Sequence, residues 1–252
     1  MLGLGIDLFQ RGAGGGPPFE VTNSLIFTAA SSQYGLQTFS TPTSAAKWTL
    51  STWLKIDSTG TNKMIFTAGV DADDYDYILI NSTGAILVYN GVGGGTAGYV
   101  YTGNVVTATD TWYHLTVKFD GSAASANRLT IYLNGVAQSI TVGTAWPSGG
   151  GYINTAVAHG LGVRYRPPSS YDSYHTGHLC ETFFIDGQAL DYTSFYDGSP
   201  IQYTGTFGNN GFYLDYKDGT STTTLGYDVS GNDNHWTLTN MTTANQSTDV
   251  PA

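Results

Sequence analysis

Apolar and polar residues alternate with a period of two along most of the chain after residue 20. In the segment 47–57, the apolar residues on one side of this alternation are Trp48, Leu50, Leu54 and Ile56. Successive side chains of a strand point to opposite faces, so such a segment buries one face and leaves the other polar. No segment keeps a period of 3.6 residues, which predicts few and short helices.

Turn residues interrupt the alternation at intervals of ~8–12 residues, a spacing typical of a sandwich or barrel. Asn134-Gly135 follows an alternating apolar run and predicts a tight hairpin, because both residues tolerate a positive φ. Asp-Gly pairs supply further turns for the same steric reason. The 252 residues have the length of one large sandwich domain. The pattern therefore predicts an all-β sandwich or barrel.

Residues 1–20 differ from the rest of the chain. A short leucine and isoleucine alternation precedes a glycine run that ends at Pro17-Pro18. An isolated strand of this length cannot bury its apolar side, so we interpret the segment as an extended arm that contacts a partner or a neighbouring subunit, by adding to a sheet edge. The alternative is a disordered tail. The residues predicted to contact the partner are Leu2, Leu4, Ile6, Leu8 and Phe9.

The composition narrows the class of partner. Aromatic residues make up 13% of the chain and charged residues only 11%, which is typical of β-rich extracellular or virion proteins. The net charge is -10, and the nine basic residues are scattered, so nucleic acid is excluded as a predicted partner. Cys180 is the only cysteine, which excludes an intrachain disulfide. No run approaches the ~20 apolar residues of a membrane span, and no secretory signal is evident, so we expect no membrane insertion and synthesis in a reducing cytoplasm.

Three blocks in order carry a resemblance to a known family. They are WTLSTWLKID (48–57), TWYHLTVKFDG (111–121) with LTIYLNGVAQ (129–138), and GHLCETFFIDGQAL (177–190). Together they resemble the concanavalin A-like lectin/glucanase superfamily, in its laminin-G-like form, over roughly residues 24–195. The resemblance implies two antiparallel sheets packed as a jelly-roll-like β-sandwich. We therefore expect an arm at 1–20, a sandwich at 21–195 and a C-terminal β segment at 196–252.

The segment 211–241 is similar to a terminal segment found beside such domains in tailed-bacteriophage virion proteins. Its Asp-Val-Ser-Gly-Asn turn comes after the closing strand, whereas relatives more often have a comparable turn near the start of the domain. This leaves open whether the segment completes the sandwich or flanks it. The resemblance implies a virion surface protein, either a capsid decoration protein or a tail appendage. We expect it to bind other virion proteins through its arm and to form a homo-oligomer.

Two acids in GHLCETFFIDGQAL raise the question of catalysis. The glucanase branch of the family uses carboxylates that point to the same face of a strand. Glu181 and Asp186 are of opposite parity, and Glu20 is the only other glutamate, so we predict no enzymatic activity. Glu181 is interpreted as a structural residue that accepts hydrogen bonds between the two sheets, and Asp186 as a turn residue. The alternatives are a tail-fibre receptor-binding adhesin and a free carbohydrate-binding or glycoside hydrolase module.

Residues 71–77 form a dense acidic cluster between two predicted strands. Oxygen-rich loops can hold calcium, so the cluster predicts a calcium site; the alternative is a solvated acidic loop. No cofactor is otherwise required. The predicted metal ligands are Asp71, Asp73, Asp74 and Asp76.

Exposed aromatic residues are candidates for binding a host-surface glycan, because sugar rings pack their apolar faces on aromatic rings. Contact with another subunit or with the capsid is an equal alternative, since tyrosine serves both kinds of surface. The predicted glycan-binding residues are Tyr75, Tyr77, Trp146, Tyr165, Tyr171 and Tyr174.

Overall fold

The computed structural model describes residues 19–251 and shows two packed antiparallel sheets. The predicted arm residues Leu2, Leu4, Ile6, Leu8 and Phe9 lie outside the described range. Sheet A contains, in spatial order, β10 (Val136–Ala137), β9 (Leu129–Leu133), β8 (Tyr113–Asp120), β3 (Lys47–Ile56), β15 (Gly177–Asp186), β1 (Ser24–Phe27) and β18 (Gln246–Ser247), with β16 (Phe212–Leu214) also paired to β15. The predicted all-β antiparallel sandwich is confirmed.

Sheet B forms the second layer, and a small hairpin lies beside it. In spatial order its strands are β11 (Ile140–Thr144), β7 (Gly95–Asn104), β6 (Ala85–Val92), β5 (Tyr75–Ile80), β4 (Lys63–Gly69), β12 (Ala158–Leu161), β2 (Tyr34–Thr38) and β17 (Thr237–Thr239). The hairpin pairs β13 (Arg164–Arg166) with β14 (Ser170–Asp172).

Helices are few and short, as the absence of a 3.6-residue period predicts. Within residues 19–251 there is one α-helical turn, α1 (Thr222–Leu225), together with the 3-10 turns Ala29–Ser31, Ser125–Asn127, Tyr192–Ser194 and Thr243–Asn245. None of the helices within residues 19–251 has the length and apolarity that crossing a membrane requires.

The core lies between the sheets and is rich in aromatic rings. Phe184 of β15 is fully buried there. Its ring stacks on Trp48 of the same sheet at 6.2 Å and on Phe66 of sheet B at 5.5 Å, measured between ring centroids. The alternation within each strand thus brings apolar side chains of both sheets together, as in aligned sheet packing.

The C-terminal segment belongs to the same sandwich. Its strands β16 and β18 pair into sheet A, and β17 pairs into sheet B. Asp249, just after the last strand, accepts a hydrogen bond from the Trp112 indole at 2.9 Å and forms an ion pair with Lys55 of β3. The segment therefore adds strands to both layers rather than forming a separate unit.

The outer side of sheet A is covered by chain that follows β15. Phe183 and Ile185, which alternate with the core residue Phe184, form a second apolar cluster with Phe195 and Tyr213. The 187–207 region supplies further apolar contacts to this cluster. Sheet A is therefore buried on both faces here, and every residue of β15 is buried, including its polar ones.

A buried carboxylate joins four chain segments at one end of the sandwich. Asp186 accepts hydrogen bonds from the backbone N–H groups of Thr43, Ser44 and Asn210 at 2.6, 3.1 and 3.1 Å, and from the Asn154 side-chain amide at 2.8 Å. The interpretation of Asp186 as a simple turn residue is wrong, because its side chain is buried and holds loops that are distant in sequence.

Candidate functional site

Five tyrosines line the outer side of three neighbouring strands of sheet B. They alternate with residues such as Ile78, Val88 and Val100, whose side chains lie in the core. Each of the five rings is partly exposed. This surface, called the tyrosine face below, consists of Tyr75 and Tyr77 on β5, Tyr89 on β6, and Tyr99 and Tyr101 on β7.

Strand register places the rings next to one another. Tyr77 is opposite Tyr89, and Tyr89 is opposite Tyr99. The rings of Tyr77 and Tyr89 are 4.9 Å apart and nearly parallel at 15°, so they overlap and present edges and hydroxyl groups. Tyr99 is turned by 70° from Tyr89. Tyr99 therefore does not continue the stacked row of rings.

Two glycines let these rings lie close to the sheet. A Cβ atom at Gly91 would come within 2.9 Å of the Tyr89 ring, and one at Gly143 within 2.9 Å of the Tyr99 ring. Real Cβ atoms almost never approach other atoms so closely, so a side chain at either position would displace the ring. The glycines therefore shape the tyrosine face.

The β13–β14 hairpin, called the arginine hairpin below, lies beside the tyrosine face. Arg164 and Arg166 both donate to Asp172, at 2.6 and 2.8 Å. The Arg166 guanidinium lies 5.6 Å from the centre of the Tyr75 ring, within the range of a cation–π contact. The hairpin thus adds charged hydrogen-bonding groups to an aromatic surface.

Stacked tyrosines anchor the arginine hairpin to sheet B. Tyr165 stacks on Tyr171 at 4.8 Å, and Tyr171 stacks on Tyr34 of β2 at 4.9 Å. Tyr174 lies 6.2 Å from Tyr34. The predicted residues Tyr165, Tyr171 and Tyr174 therefore belong to one cluster, which supports the hairpin.

The hydroxyl of Tyr77 keeps its proton at neutral pH. Burial, followed by the neighbouring Tyr75, raises the pKa of Tyr77 to about 12, against the opposing effect of Arg164. A protonated phenol can both donate and accept a hydrogen bond. At neutral pH this part of the surface therefore offers a neutral polar group suited to hydroxyl-bearing ligands.

The structure corrects one predicted glycan contact. Trp146 is 1% exposed and packs in the core, 6.4 Å from the Phe119 ring. Its position in a Pro- and Gly-rich loop suggested a surface residue, but the loop folds inward at this point. Trp146 is therefore removed from the candidate set.

The predicted calcium ligands do not converge. Asp71 accepts from the backbone N–H groups of Asp73 and Asp74 at 2.8 and 2.9 Å, as in an Asx turn, while Asp76 points into the protein and is fully buried. Within residues 19–251, no three His, Cys, Asp or Glu side chains are placed to hold one metal ion. The set Asp71, Asp73, Asp74 and Asp76 is corrected for this reason. Asp76 lies within β5 with a buried side chain, whereas Asp71 and Asp73 are exposed in the turn that precedes this strand.

Asp76 instead ties a loop to sheet B. Its carboxylate accepts from the backbone N–H groups of Tyr152 and Ile153 at 2.6 and 2.8 Å, and from the Asn90 side-chain amide at 2.6 Å. Burial raises the pKa of Asp76 to about 7, although all three donors act in the opposite direction. The residue stabilises the β5 strand from beneath the tyrosine face.

Glu181 is structural in a different way from that predicted. It lies in a β-bulge of β15 with a φ of 46°, and its carboxyl group accepts from the hydroxyl of Tyr213. Tyr213 belongs to β16 of the same sheet, so the contact does not join the two sheets as expected. Burial raises the pKa of Glu181 to about 8, with the Tyr213 hydrogen bond opposing it.

The raised pKa makes folding stability depend on pH at this residue. Between the ordinary value near 4.5 and about 8, folded Glu181 holds a proton that the unfolded chain has released, so stability is lost as the pH rises through this range. Relative to Glu181→Gln, the wild type should lose roughly 2–4 kcal/mol of unfolding free energy between pH 5 and 9. Urea unfolding of both proteins across this range measures the difference, and parallel pH curves would contradict the prediction.

Sequence reasoning missed part of the site. Tyr89, Tyr99 and Tyr101 carry a visible signal, because each alternates with an apolar residue in a strand, but only the register shows that they adjoin Tyr77. Arg164 and Arg166 were noted only as a close basic pair. Their position beside Tyr75 depends on how the hairpin folds over the sheet, which no local pattern specifies.

The fold defines a two-sheet antiparallel sandwich of lectin-like architecture, with tyrosines on one outer face. The chain belongs to the concanavalin A-like lectin/glucanases superfamily, whose family model matches residues 28–182. This confirms the family predicted from the three sequence blocks. No curated protein matches the sequence.

Two solved structures have a similar fold. A candidate carbohydrate binding protein from Bacteroides ovatus has a TM-score of 0.64 at 17% identity, and the match covers 88% of this chain and 59% of that protein. The native heptameric SAP-like pentraxin from Limulus polyphemus has a TM-score of 0.52 at 14% identity, over 77% of this chain and 93% of that one. The present chain thus spans less than two thirds of the Bacteroides protein. At these identities the likeness shows the fold alone.

Proposed function

We propose that this is a non-enzymatic glycan-binding protein of a bacteriophage virion surface, and that the tyrosine face with the arginine hairpin is its binding site. The observation that carries the proposal is the concentration of partly exposed rings, phenolic hydroxyls and guanidinium groups on one outer sheet face. Sugars need this combination, because their C–H faces pack on rings while their hydroxyls take polar partners. The fold shared with a candidate carbohydrate binding protein supports the same reading.

Direct contact through tyrosine and arginine needs no metal ion or other cofactor. Binding should therefore persist in EDTA.

The two acids of β15 also support a binding role over hydrolysis. Glu181 is closed in by Tyr213, and the Asp186 carboxylate is occupied by four donors, so neither is free to act as a catalytic acid or nucleophile.

The position of Phe19 indicates at which side of the sandwich a partner that holds the N-terminal arm would lie. Phe19 packs against the apolar cluster on the outer side of sheet A, and the Lys217 ammonium lies 5.6 Å from its ring centre. The tyrosine face is on the outer side of sheet B. The chain therefore enters the sandwich away from the tyrosine face, so a particle that holds the arm would leave this face accessible.

The virion role rests on the similarity of residues 211–241 to phage virion proteins. In this proposal the protein is assembled in the host cytoplasm and binds other virion proteins through the arm as a homo-oligomer. Capsid decoration and tail appendage are the two locations that it allows. Electron microscopy of particles labelled with an antibody against the sandwich would distinguish head from tail, and particles that lack the protein would contradict the virion role.

Glycan binding is tested with the full chain on a glycan array, followed by calorimetry with the strongest ligand. Tyr99→Ala should weaken binding about tenfold or more, because it removes the ring that is turned out of the stacked row. Tyr132→Ala, on the outer side of sheet A, is the matched control and should leave the affinity unchanged. A wild-type protein that binds no glycan, or a Tyr99→Ala variant with full affinity, would contradict the proposed site.

A further inference from the structure

A cleft lies in the C-terminal segment, outside the residues 28–182 that the family model matches. It has a volume of about 430 Å³ and lies between α1, β17 and the loop that joins them. Volumes above ~300 Å³ are typical of sites for small molecules. The side chains of Tyr227, His235, Thr222, Thr223 and Thr237 line it.

An exposed aromatic pair forms one side of the cleft. The rings of Tyr227 and His235 stack at 4.4 Å and 21°. Tyr227 is 39% exposed, although most large rings in the described residues are buried or half-buried. The backbone N–H of Asp228 donates to His235 Nδ1 at 3.0 Å, which fixes the imidazole ring and leaves Nε2 to carry the hydrogen when the ring is neutral.

The loop that carries this pair is held by its own hydrogen bonds. The carboxylate of Asp228 accepts from the backbone N–H groups of Ser230, Asn234 and Tyr213 at 2.8, 2.9 and 2.8 Å. The Asn234 side chain donates to the Gly211 carbonyl at 2.8 Å. A ligand would therefore meet a surface that is already ordered, which lowers the entropy cost of binding.

The groups around the rings indicate the class of ligand. Three threonines line the cleft, and a threonine hydroxyl can donate or accept a hydrogen bond. Asp233 lies 3.8 Å from His235 Nε2 and its side chain is 89% exposed, which disfavours a ligand that carries an anionic group. A flat apolar surface bordered by neutral hydroxyls and one acid suits an uncharged, hydroxyl-rich ring.

We propose that this cleft binds a single neutral pyranose unit, with its C–H face on Tyr227 and its hydroxyl groups on the threonines. The site is separate from the tyrosine face and does not depend on it. A chain with two sugar sites would bind a branched or dense glycan surface more tightly than either site alone, through effective concentration.

The test follows backbone amide signals of the full-length chain by NMR while methyl glucoside, methyl galactoside and methyl mannoside are added in turn. At least one sugar should shift amides of residues 222–238 saturably, with a millimolar dissociation constant. Tyr227→Ala should weaken this binding at least tenfold, and Thr237→Val, which removes one hydroxyl while keeping the shape, should weaken it severalfold. Tyr132→Ala, on the outer side of sheet A, is the control and should leave these shifts unchanged.

Two outcomes would overturn the inference. One is that no sugar in the panel shifts residues 222–238 at roughly 50 mM, well above a millimolar dissociation constant. The other is that Tyr227→Ala binds like the wild type while its spectrum keeps the wild-type dispersion. Amides of residues 75–101 report the tyrosine face in the same spectra, so failure at one site is distinguished from failure at the other.

Discussion

Asp186→Ala is expected to lower the free energy of unfolding by about 4 kcal/mol. The wild-type carboxylate accepts four hydrogen bonds, from the backbone of Thr43, Ser44 and Asn210 and from the side chain of Asn154. Removing it leaves these donors without an acceptor in a region where Asp186 is 1% exposed. Buried donors that lose their partner cost more than the net value of the hydrogen bonds themselves.

Urea or guanidinium unfolding measures this loss of unfolding free energy. Two further variants show whether the loss comes from the buried carboxylate. Asp186→Asn should also be clearly destabilising. The NH₂ group of the asparagine would replace one carboxylate oxygen and would face the two N–H donors from which that oxygen accepts in the wild type. Asp191→Asn, at an exposed acid that pairs with Lys118, should cost less than about 1 kcal/mol. An Asp186→Ala protein with near wild-type stability would show that water replaces the carboxylate at no cost, contrary to the proposed role.

Phe184→Ala should also cost about 4 kcal/mol, because it opens a cavity between the two sheets. The Phe184 ring contacts Trp48 and Phe212 of sheet A and Phe66 of sheet B. Backbone pairing with β3 on one side and β1 and β16 on the other limits how far β15 can move to fill the space. The same denaturant titration reports the change.

Phe184→Leu serves as the matched variant for volume. It keeps most of the apolar bulk and should cost about 1–2 kcal/mol. Equal losses for the alanine and leucine variants would indicate that ring stacking, and not cavity formation, determines the effect. A loss below about 1 kcal/mol for alanine would contradict the central position of this ring.

The distribution of apolar residues between the sheets has a functional consequence. Sheet A is packed on both faces, since the 187–207 region covers Phe183 and Ile185. Sheet B has its aromatic outer face partly exposed. This asymmetry is what directs the proposed glycan contact to sheet B. The acids of β15 thus have a structural role, and the proposed function lies on the outer face of sheet B.

Local patterns were sufficient to predict the strands and the sandwich. The alternation around Trp48 and Leu50 and the Asn134-Gly135 turn indicate half-buried strands and a hairpin, because side-chain direction and turn geometry depend on neighbouring residues only. The three ordered blocks likewise identify the family that the model over residues 28–182 shows. Tyr75 and Tyr77 were also predicted as surface residues from their local setting.

Contacts between residues far apart in the sequence could not be predicted from local patterns. The alternation rule places Asp76 on the side opposite Tyr75 and Tyr77, yet only the packed loop at 152–153 explains why a carboxylate is buried there. The bulge at Glu181 directs that side chain to Tyr213 of the same sheet, and no neighbouring residue in the sequence predicts a bulge.

The sequence by itself determined the all-β architecture and the strand positions, since these follow from the period of the side chains and from turn chemistry. The family came from the resemblance of three ordered sequence blocks. The tertiary structure alone decided that the tyrosines of β5, β6 and β7 form one surface beside the arginine hairpin. It also decided that Asp186 is a buried tie and that Trp146 is a core residue. Register, loop packing and burial arise from contacts between residues far apart in the chain, and the free energy of those contacts is not encoded in any single segment.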